Sequence, residues 1–348
     1  MLRAVVSSAE LSTAGRVVGW ASGLVGHPDA MKIEPRAAVG HVVDSHGILL
    51  RRDAVATGVS DVALARLVDN GVLIKLRHGC YCLRSVYLAA SRDERHRLLC
   101  RAVMKLYGSH VALSHGSSCL MQGGPDVGLD LNKAHLTHLS GGGRATSRVR
   151  HHLGELRVGD VRRHQGHWIT TPPRAVLEVA ITDGVEAALV QANHFLHRRE
   201  MYREDLVACA EAQTFWPGSL THHPVMHLAD PRPESPGESR CVYCFFSQGL
   251  PAPIPQFEVL HPDGTVAARC DFAWPERRVI VEFDGLEKYH RFRKDGETIE
   301  QTVMREKARE DVVRGLTGWT VVRITWADLA RPVSVANRIR AAFAMAAA

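Results

Sequence analysis

Two short apolar segments near the C-terminus, Val266–Phe272 and Arg278–Phe283, constrain the fold of this chain more than any other feature. A brief segment containing a proline separates them, which predicts two neighbouring antiparallel strands. The surrounding pattern predicts a helix at Glu238–Gln248, a strand at Gln256–Leu260, a helix at about 298–316 and a strand at Trp319–Thr325. The resulting order, αβββαβ, is typical of one mixed domain with its own core.

Carboxylates occur at defined places in this pattern. Asp271 lies near the end of one predicted strand and Glu282 on the next, while Glu238 in the preceding helix offers a third acid. Carboxylate oxygens suit hard cations, so these residues predict a site for Mg²⁺ or Mn²⁺. Such an ion polarises a scissile phosphate and activates a water, and a lysine, for which Lys288 is the candidate, stabilises the developing charge.

Four segments between residues 235 and 329 carry a family resemblance: SPGES, PIPQFEV, CDFAWPERRVIVEFDGLEKY and EKAREDVVRGLTGWTVVRITWADL. Together they resemble a bacterial family of endonuclease-like domains of the PD-(D/E)XK type, related to the very-short-patch repair endonuclease. The resemblance implies a restriction-endonuclease-like fold and the site residues Glu238, Asp271, Glu282, Gln256 and Lys288. The family lysine falls two residues after the second acid, where this chain has Asp284, so Lys288 is a displaced lysine.

The segment Val42–Leu83 predicts three helices and a two-stranded hairpin, the order of a winged helix. Ser60 or Asp61 caps the third helix, whose apolar residues Leu64, Leu67 and Val68 follow helical spacing, and Gly71 ends it. This helix is the expected recognition helix, and the basic turn of the hairpin is the wing. The residues predicted to contact DNA are Arg66, Asn70, Lys75, Arg77 and His78.

The phrase NGVLIKLRHGCYCL, residues 70–83, resembles the N-terminal domain of AbiEi-type antitoxins, transcriptional regulators of type IV toxin–antitoxin systems. The resemblance implies DNA and a cognate toxin as partners. It continues into the middle of the chain, where SHGSSCLMQG and TTPPRAVLEVA are similar to elements of larger actinobacterial relatives. Glu178 stands where those relatives have an aspartate.

The middle region predicts an αβ arrangement with a strand at Val149–His152 and a helix at Arg174–Ile181. A catalytic cluster of Ser114, His115, His151 and His152 is conceivable there, but no acid lies at a recognisable spacing from them. The expected division of the chain is a loosely ordered leader at 1–36, a winged-helix domain at 37–90, a middle αβ region at 91–215, a Pro/Gly-rich linker at 216–237 and a nuclease-like domain at 238–335.

Composition sets the broad class. The chain has 348 residues, 45% hydrophobic content and a formal charge of +6, as expected of a folded multidomain protein with an anionic partner. Its eight cysteines show no secreted disulfide framework, and no apolar run is long enough to span a bilayer, so a cytoplasmic location is expected.

Two functions remain open at this point. One is a DNA-binding protein whose C-terminal domain hydrolyses phosphodiester bonds with Mg²⁺ or Mn²⁺. The other is a non-catalytic transcriptional regulator or antitoxin that binds DNA through its winged helix, which Asp284 at the lysine position favours.

Overall fold

The structure, a computed structural model, describes residues 35–138, 147–285, 301, 309 and 311–347. These residues form helices and three β-sheets of three, five and four strands. The predicted class, a mixed α/β protein of several units, is confirmed at this level. The expected leader at 1–36 lies outside the described residues, apart from its last two positions.

The N-terminal unit combines short helices with the three-stranded sheet. Its elements are α1 (Pro35–Val42), β1 (Ile48–Leu50), α2 (Arg51–Ala56), α3 (Asp61–Asp69), β2 (Leu73–Arg77), β3 (Cys80–Leu83) and α4 (Arg84–Ala89). Ser60 caps α3 by accepting a hydrogen bond from the Ala63 amide, and Gly71 follows the helix at a φ of +70°. The sheet order is β1-β3-β2, so β1, which the sequence did not predict, adds a third strand to the hairpin.

This small sheet is buried on both faces. Leu49 packs with α3 on one side, whereas Ile48 and Leu50 face α5 (Arg92–Tyr107) on the other. The second cluster continues into the middle region through Leu113 and Leu136. Because one apolar core joins the two units, the N-terminal unit is fixed against the middle region rather than tethered to it.

The middle region contains the five-stranded sheet and a layer of helices. Its strands are β4 (Val111–Leu113), β5 (Ala134–His138), β6 (Val149–His152), β7 (Val161–His164) and β8 (His167–Thr170), in the order β6-β5-β4-β8-β7. The helices are α6 (His115–Met121), α7 (Pro172–Thr182), α8 (Val185–His197), α9 (Arg203–Ala212) and α10 (His222–Leu228). Prolines at the start of α7 fit a helix entry, because their missing amides need no partner there.

The segment 216–237 differs from the expected linker. It contains α10, whose Val225 is fully buried in the same apolar cluster as α7 and α8. The Pro- and Gly-rich residues around this helix suggested a flexible connection. Because α10 is a short helix, its apolar pattern covers too few residues to be distinguished from the Pro- and Gly-rich sequence around it.

The C-terminal unit is built on the four-stranded sheet. Its elements are α11 (Pro236–Ser247), β9 (Ile254–Leu260), β10 (Val266–Trp274), β11 (Val279–Asp284), β12 (Thr320–Thr325), α12 (Trp326–Leu329) and α13 (Pro332–Ala347), with a helical segment at 311–317. The order is β12-β11-β10-β9, and only the β11–β12 pair among them is parallel. The predicted helix at 298–316 lies mostly outside the described residues.

The C-terminal unit docks on the middle region through α8 and α11. Asn193 donates a hydrogen bond of 3.1 Å to the Ser239 hydroxyl, and Arg240 pairs with Glu186 at 2.6 Å. Asn193 is fully buried, so its hydrogen bond also specifies the register of the two helices. None of the helices among the described residues is both long and apolar enough to cross a membrane.

Candidate nucleic-acid interface and acidic cluster

The outer face of α3 is the first candidate surface. Leu64 and Leu67 hold the inner face in the core. The opposite face exposes Arg66 and Val62, the latter with 61% of its surface accessible, and Asn70, which caps the C-terminal end of α3, is also exposed. Arg and Asn can make paired hydrogen bonds to base edges, and an apolar side chain can contact a thymine methyl group. The outer face therefore offers both kinds of contact at helical spacing.

An arginine balances the negative charge of the acid at the start of α3. Asp61 accepts a hydrogen bond of 2.6 Å from Arg51 Nε, at the start of α2. This hydrogen bond lowers the pKa of the Asp61 carboxyl, which stays ionised and balances the arginine. The pair joins the two helices and reduces the repulsion that a free carboxylate would exert on a phosphate.

The three basic residues of the hairpin differ in their exposure to solvent. Lys75 and His78 are exposed, as a contact with a DNA backbone requires. Arg77 instead turns inward, with its guanidinium carbon 5.2 Å from the centre of the Tyr107 ring on α5. Its Nε and Nη1 atoms are buried and find no hydrogen-bond partner among the described residues. The structure thus places Arg77 as a packing residue between the hairpin and α5.

In the C-terminal unit, the sheet aligns the predicted residues across neighbouring strands. The β9–β10 pairs Phe257–Cys270 and Pro255–Phe272 flank Gln256 and Asp271. Asp271 and Glu282 each adjoin the Phe272–Val281 pair of β10 and β11. Glu282 also pairs with Arg323 of β12. Residues from three strands and one helix are therefore brought to one region of the sheet.

Glu238 is committed to the first turn of α11. Its Oε1 accepts from the Ser235 hydroxyl at 2.7 Å, and its Oε2 accepts from the Glu234 amide at 2.9 Å and from Gln256 Nε2 at 2.7 Å. The side chain is only 3% exposed. These bonds satisfy most of the acceptor capacity of a carboxylate and stabilise the helix start.

The other two acids also have protein partners. Asp271 Oδ2 accepts from the Phe283 amide at 2.7 Å, and Glu282 Oε2 lies 3.3 Å from Arg309 Nη2. Burial, followed by the Glu282 charge, raises the pKa of the Cys270 thiol to about 12, so the thiol remains protonated beside that carboxylate. Arg309 also donates to the Arg269 carbonyl at 2.8 Å, a contact that the sequence did not predict.

Glu238, Asp271 and Glu282 do not offer three carboxylate oxygens that all lie within 4.8 Å of one another. Within the described part of the chain, a set of three ligand atoms within 4.8 Å of one another is found only among histidines. Asp284 lies 3.8 Å from Arg323, and Lys288 lies outside the described residues. Hydrogen bonds thus hold Glu238 and Asp271, and an arginine lies beside Glu282.

The histidines of that set lie in the middle region, on β5, β6 and the start of α6. His115 and His152, both candidates from the sequence, come together with His135, which the sequence did not single out. His151 lies apart, with its Nδ1 2.7 Å from His138 Nε2. The acid that the sequence did not provide at a recognisable spacing is Glu178, whose Oε2 accepts from the His115 amide at 3.0 Å.

Comparison with known proteins supports the N-terminal part of this picture. Residues 41–84 match the family model described as "Transcriptional regulator, AbiEi antitoxin". Two proteins from different strains of Mycobacterium tuberculosis, both described as uncharacterized, are each 28% identical to this chain over 277 residues. Each alignment covers 78% of this chain and 93% of the relative. The similarity to these relatives thus extends well beyond the matched domain.

Proposed function

We propose that this protein is a DNA-binding transcriptional regulator of the AbiEi antitoxin type, and that residues 37–90 act as its winged helix. The observation that carries the proposal is the coincidence of the matched segment, residues 41–84, with a helix and hairpin that expose polar and basic side chains. Asp284 at the family lysine position fits a regulator better than a nuclease.

In this proposal α3 enters the major groove and the hairpin turn lies along the backbone. Arg66 and Asn70 contact base edges, whereas Lys75 and His78 contact phosphates and set the position of the helix. The sheet behind α3 is buried on both faces, so the reading surface is presented on a rigid support. Rigid presentation reduces the ordering cost of binding.

The DNA target that we propose is the region upstream of the protein's own gene, and a second partner is a cognate toxin. Fluorescence anisotropy with labelled upstream DNA and a scrambled duplex tests the first part. Arg66→Ala should weaken binding to the upstream duplex by roughly 10-fold or more, as loss of a paired base contact does. Arg162→Ala, which removes an arginine that is also exposed, on β7, is the matched control and should bind as wild type.

Equal affinity of the wild type for upstream and scrambled duplexes would contradict sequence-specific regulation. Equal loss in Arg66→Ala and Arg162→Ala would mean that α3 is not the contact surface. A toxin partner is tested separately by co-expression with the gene that adjoins this one and co-purification of the two products.

A second candidate function is metal-dependent hydrolysis of nucleic acid by a PD-(D/E)XK-like C-terminal domain. It is favoured by the placement of Gln256, Asp271 and Glu282 on three adjacent strands. Incubation of the full chain with plasmid DNA and RNA, in Mg²⁺ or Mn²⁺, tests it against Asp271→Asn and Glu282→Gln. Cleavage by wild type that both variants lose would support it, and intact substrates throughout would exclude it under those conditions.

A further inference from the structure

We infer that His115, His135 and His152 form a three-histidine site for a zinc-like transition-metal ion in the middle region. One ring nitrogen from each residue lies within 4.8 Å of those of the other two. This inference does not depend on the proposed DNA binding, and it concerns a different part of the chain from the C-terminal acids.

The spacing of the histidines suits a tetrahedral ion. His152 Nε2 lies 3.2 Å from His135 Nδ1. In a tetrahedral site with Zn–N bonds of about 2.0–2.1 Å, two ligand nitrogens lie roughly 3.3 Å apart. The ring of His115 stacks on that of His152 with a centroid distance of 3.7 Å, so the third imidazole is adjacent and has to turn to direct its in-plane lone pair at a bound ion. An ion can thus replace the single proton that now links His135 and His152.

The surroundings orient His115 as a ligand. Its Nδ1 is 2.9 Å from the Ser114 hydroxyl and 3.5 Å from Glu178 Oε2, which leaves Nε2 to coordinate an ion. Metal-bound histidines commonly use their second ring nitrogen in this way, toward a hydroxyl or a carboxylate that fixes the tautomer. Glu178 is itself held by Arg174 at 2.8 Å, and all these groups are buried.

The backbone of His115 is also held in an unusual conformation. Its φ is +55°, in the left-handed region that residues with a side chain rarely adopt, and its amide is anchored to Glu178. Strain of this kind persists where the surrounding structure imposes it, and it clusters at functional sites. The strained residue, His115, is thus itself a member of the histidine cluster.

The contacts of a neighbouring histidine limit the set to three ligands. His96 is buried nearby, but its Nδ1 faces the Leu131 carbonyl and its Nε2 faces the Ser117 hydroxyl, so both nitrogens are engaged. Ser117 also accepts from the His135 amide at 3.0 Å and so holds that residue in place. The set therefore has three ligands, which is the number found where zinc keeps a fourth position for water or another ligand.

The three imidazoles are uncharged near neutral pH. Burial lowers the pKa of His135 to about 4 and that of His152 to about 3, and it lowers the pKa of His115 well below its usual value. Neutral imidazoles present the lone pairs that metal binding needs. The nearby cations Arg150 and Arg174 oppose an ion, and the buried carboxylate of Glu178 and the partly exposed one of Asp160 offset Arg174.

Calorimetric titration of Zn²⁺ into the chelator-treated full chain is the test, with Co²⁺ absorption spectroscopy as a second readout. We expect one ion per chain, and a Co²⁺ spectrum of the intense tetrahedral type. His152→Ala and His135→Ala should each lower affinity at least 10-fold, the scale on which even an outer partner of a metal ligand acts. His151→Ala, one position away on the same strand, is the matched control and should bind as wild type.

Circular dichroism of each variant establishes that it is folded. If His135→Ala or His152→Ala does not fold, His115→Gln serves as the replacement variant. Asp271→Ala should retain the Zn²⁺ site, which separates it from the C-terminal acids. Absence of stoichiometric Zn²⁺ and Co²⁺ binding by the folded wild type would overturn the inference, as would an equal loss in His151→Ala.

Discussion

Gln256 Nε2 donates a hydrogen bond of 2.7 Å to Glu238 Oε2, which joins β9 to the first turn of α11. The bond is made from a strained position, since Gln256 has a φ of +53° within a strand. A buried hydrogen bond to a carboxylate contributes about 1.5–3 kcal/mol, and a side chain in the left-handed region costs about 1–2 kcal/mol. Gln256 therefore contributes both a stabilising hydrogen bond and a destabilising backbone conformation.

Substitutions at Gln256 separate these effects. Gln256→Ala removes the hydrogen bond and keeps the strain, so we expect it to lower the free energy of unfolding by about 2 kcal/mol. Gln256→Gly also removes the bond but relieves the strain, and should lose roughly 1 kcal/mol less. Urea unfolding followed by circular dichroism measures both. A glycine variant less stable than the alanine variant would contradict this account.

Arg174 is 2% exposed and pairs with Glu178 at 2.8 Å and with Asp160 at 2.9 Å. Arg174→Met leaves a buried carboxylate without its cation, and we expect a loss of about 3–5 kcal/mol in the free energy of unfolding. The double variant Arg174→Met, Glu178→Gln should recover part of that loss, because the buried carboxylate is gone and only the partly exposed one of Asp160 is left without its arginine. Chemical denaturation in the presence of chelator gives the values, and additive losses would argue against coupling.

The two hairpin residues Lys75 and Arg77 should behave differently. Lys75→Ala should reduce the slope of log K against log salt concentration for DNA binding by about one unit, as loss of one phosphate contact does. Arg77→Ala should keep that slope and lower stability by about 0.5–2 kcal/mol, through loss of its contact with Tyr107. Anisotropy titrations at several salt concentrations and thermal unfolding distinguish the two. A reduced slope in Arg77→Ala would return this residue to the DNA surface.

Burial of His222 on α10 lowers its pKa, with His223 and Arg174 as the neighbouring charged groups that also lower it. Above the unfolded pKa of about 6.5 both states are neutral, and this residue adds no pH dependence. As the pH falls below that value, the unfolded chain binds a proton that the folded protein excludes, so stability is lost.

The free energy of unfolding at pH 8 and at pH 5 measures this effect. His222→Gln should lose less stability between the two values than wild type does. His223→Gln, at an exposed neighbour on the same helix, should lose nearly as much as wild type, because burial and not the His223 charge is the main cause of the lowered pKa of His222. The same loss in all three proteins would show that His222 does not control acid stability.

Local chemistry in the sequence was enough for much of the architecture. The cap at Ser60, the helix end at Gly71 and the strand Cys80–Leu83 all follow from short-range preferences, and the structure has them where they were expected. The same is true of the successive strands of the C-terminal sheet, which end within a few residues of the predicted positions. Capping, positive φ and alternation act over a few residues, so a short window of sequence contains their cause.

Long-range contacts decided the rest. Arg77 has the sequence context of a wing residue, and only the approach of α5 turns it onto Tyr107. His115 and Glu178 are 63 residues apart in the chain, and the sheet brings them together because β4 and β8 run parallel and end at the same edge. Which side chains meet depends on strand order and register, and no short segment carries that information. This is why the sequence indicated His115 and His152, whereas only the tertiary structure supplied His135 and the acid Glu178.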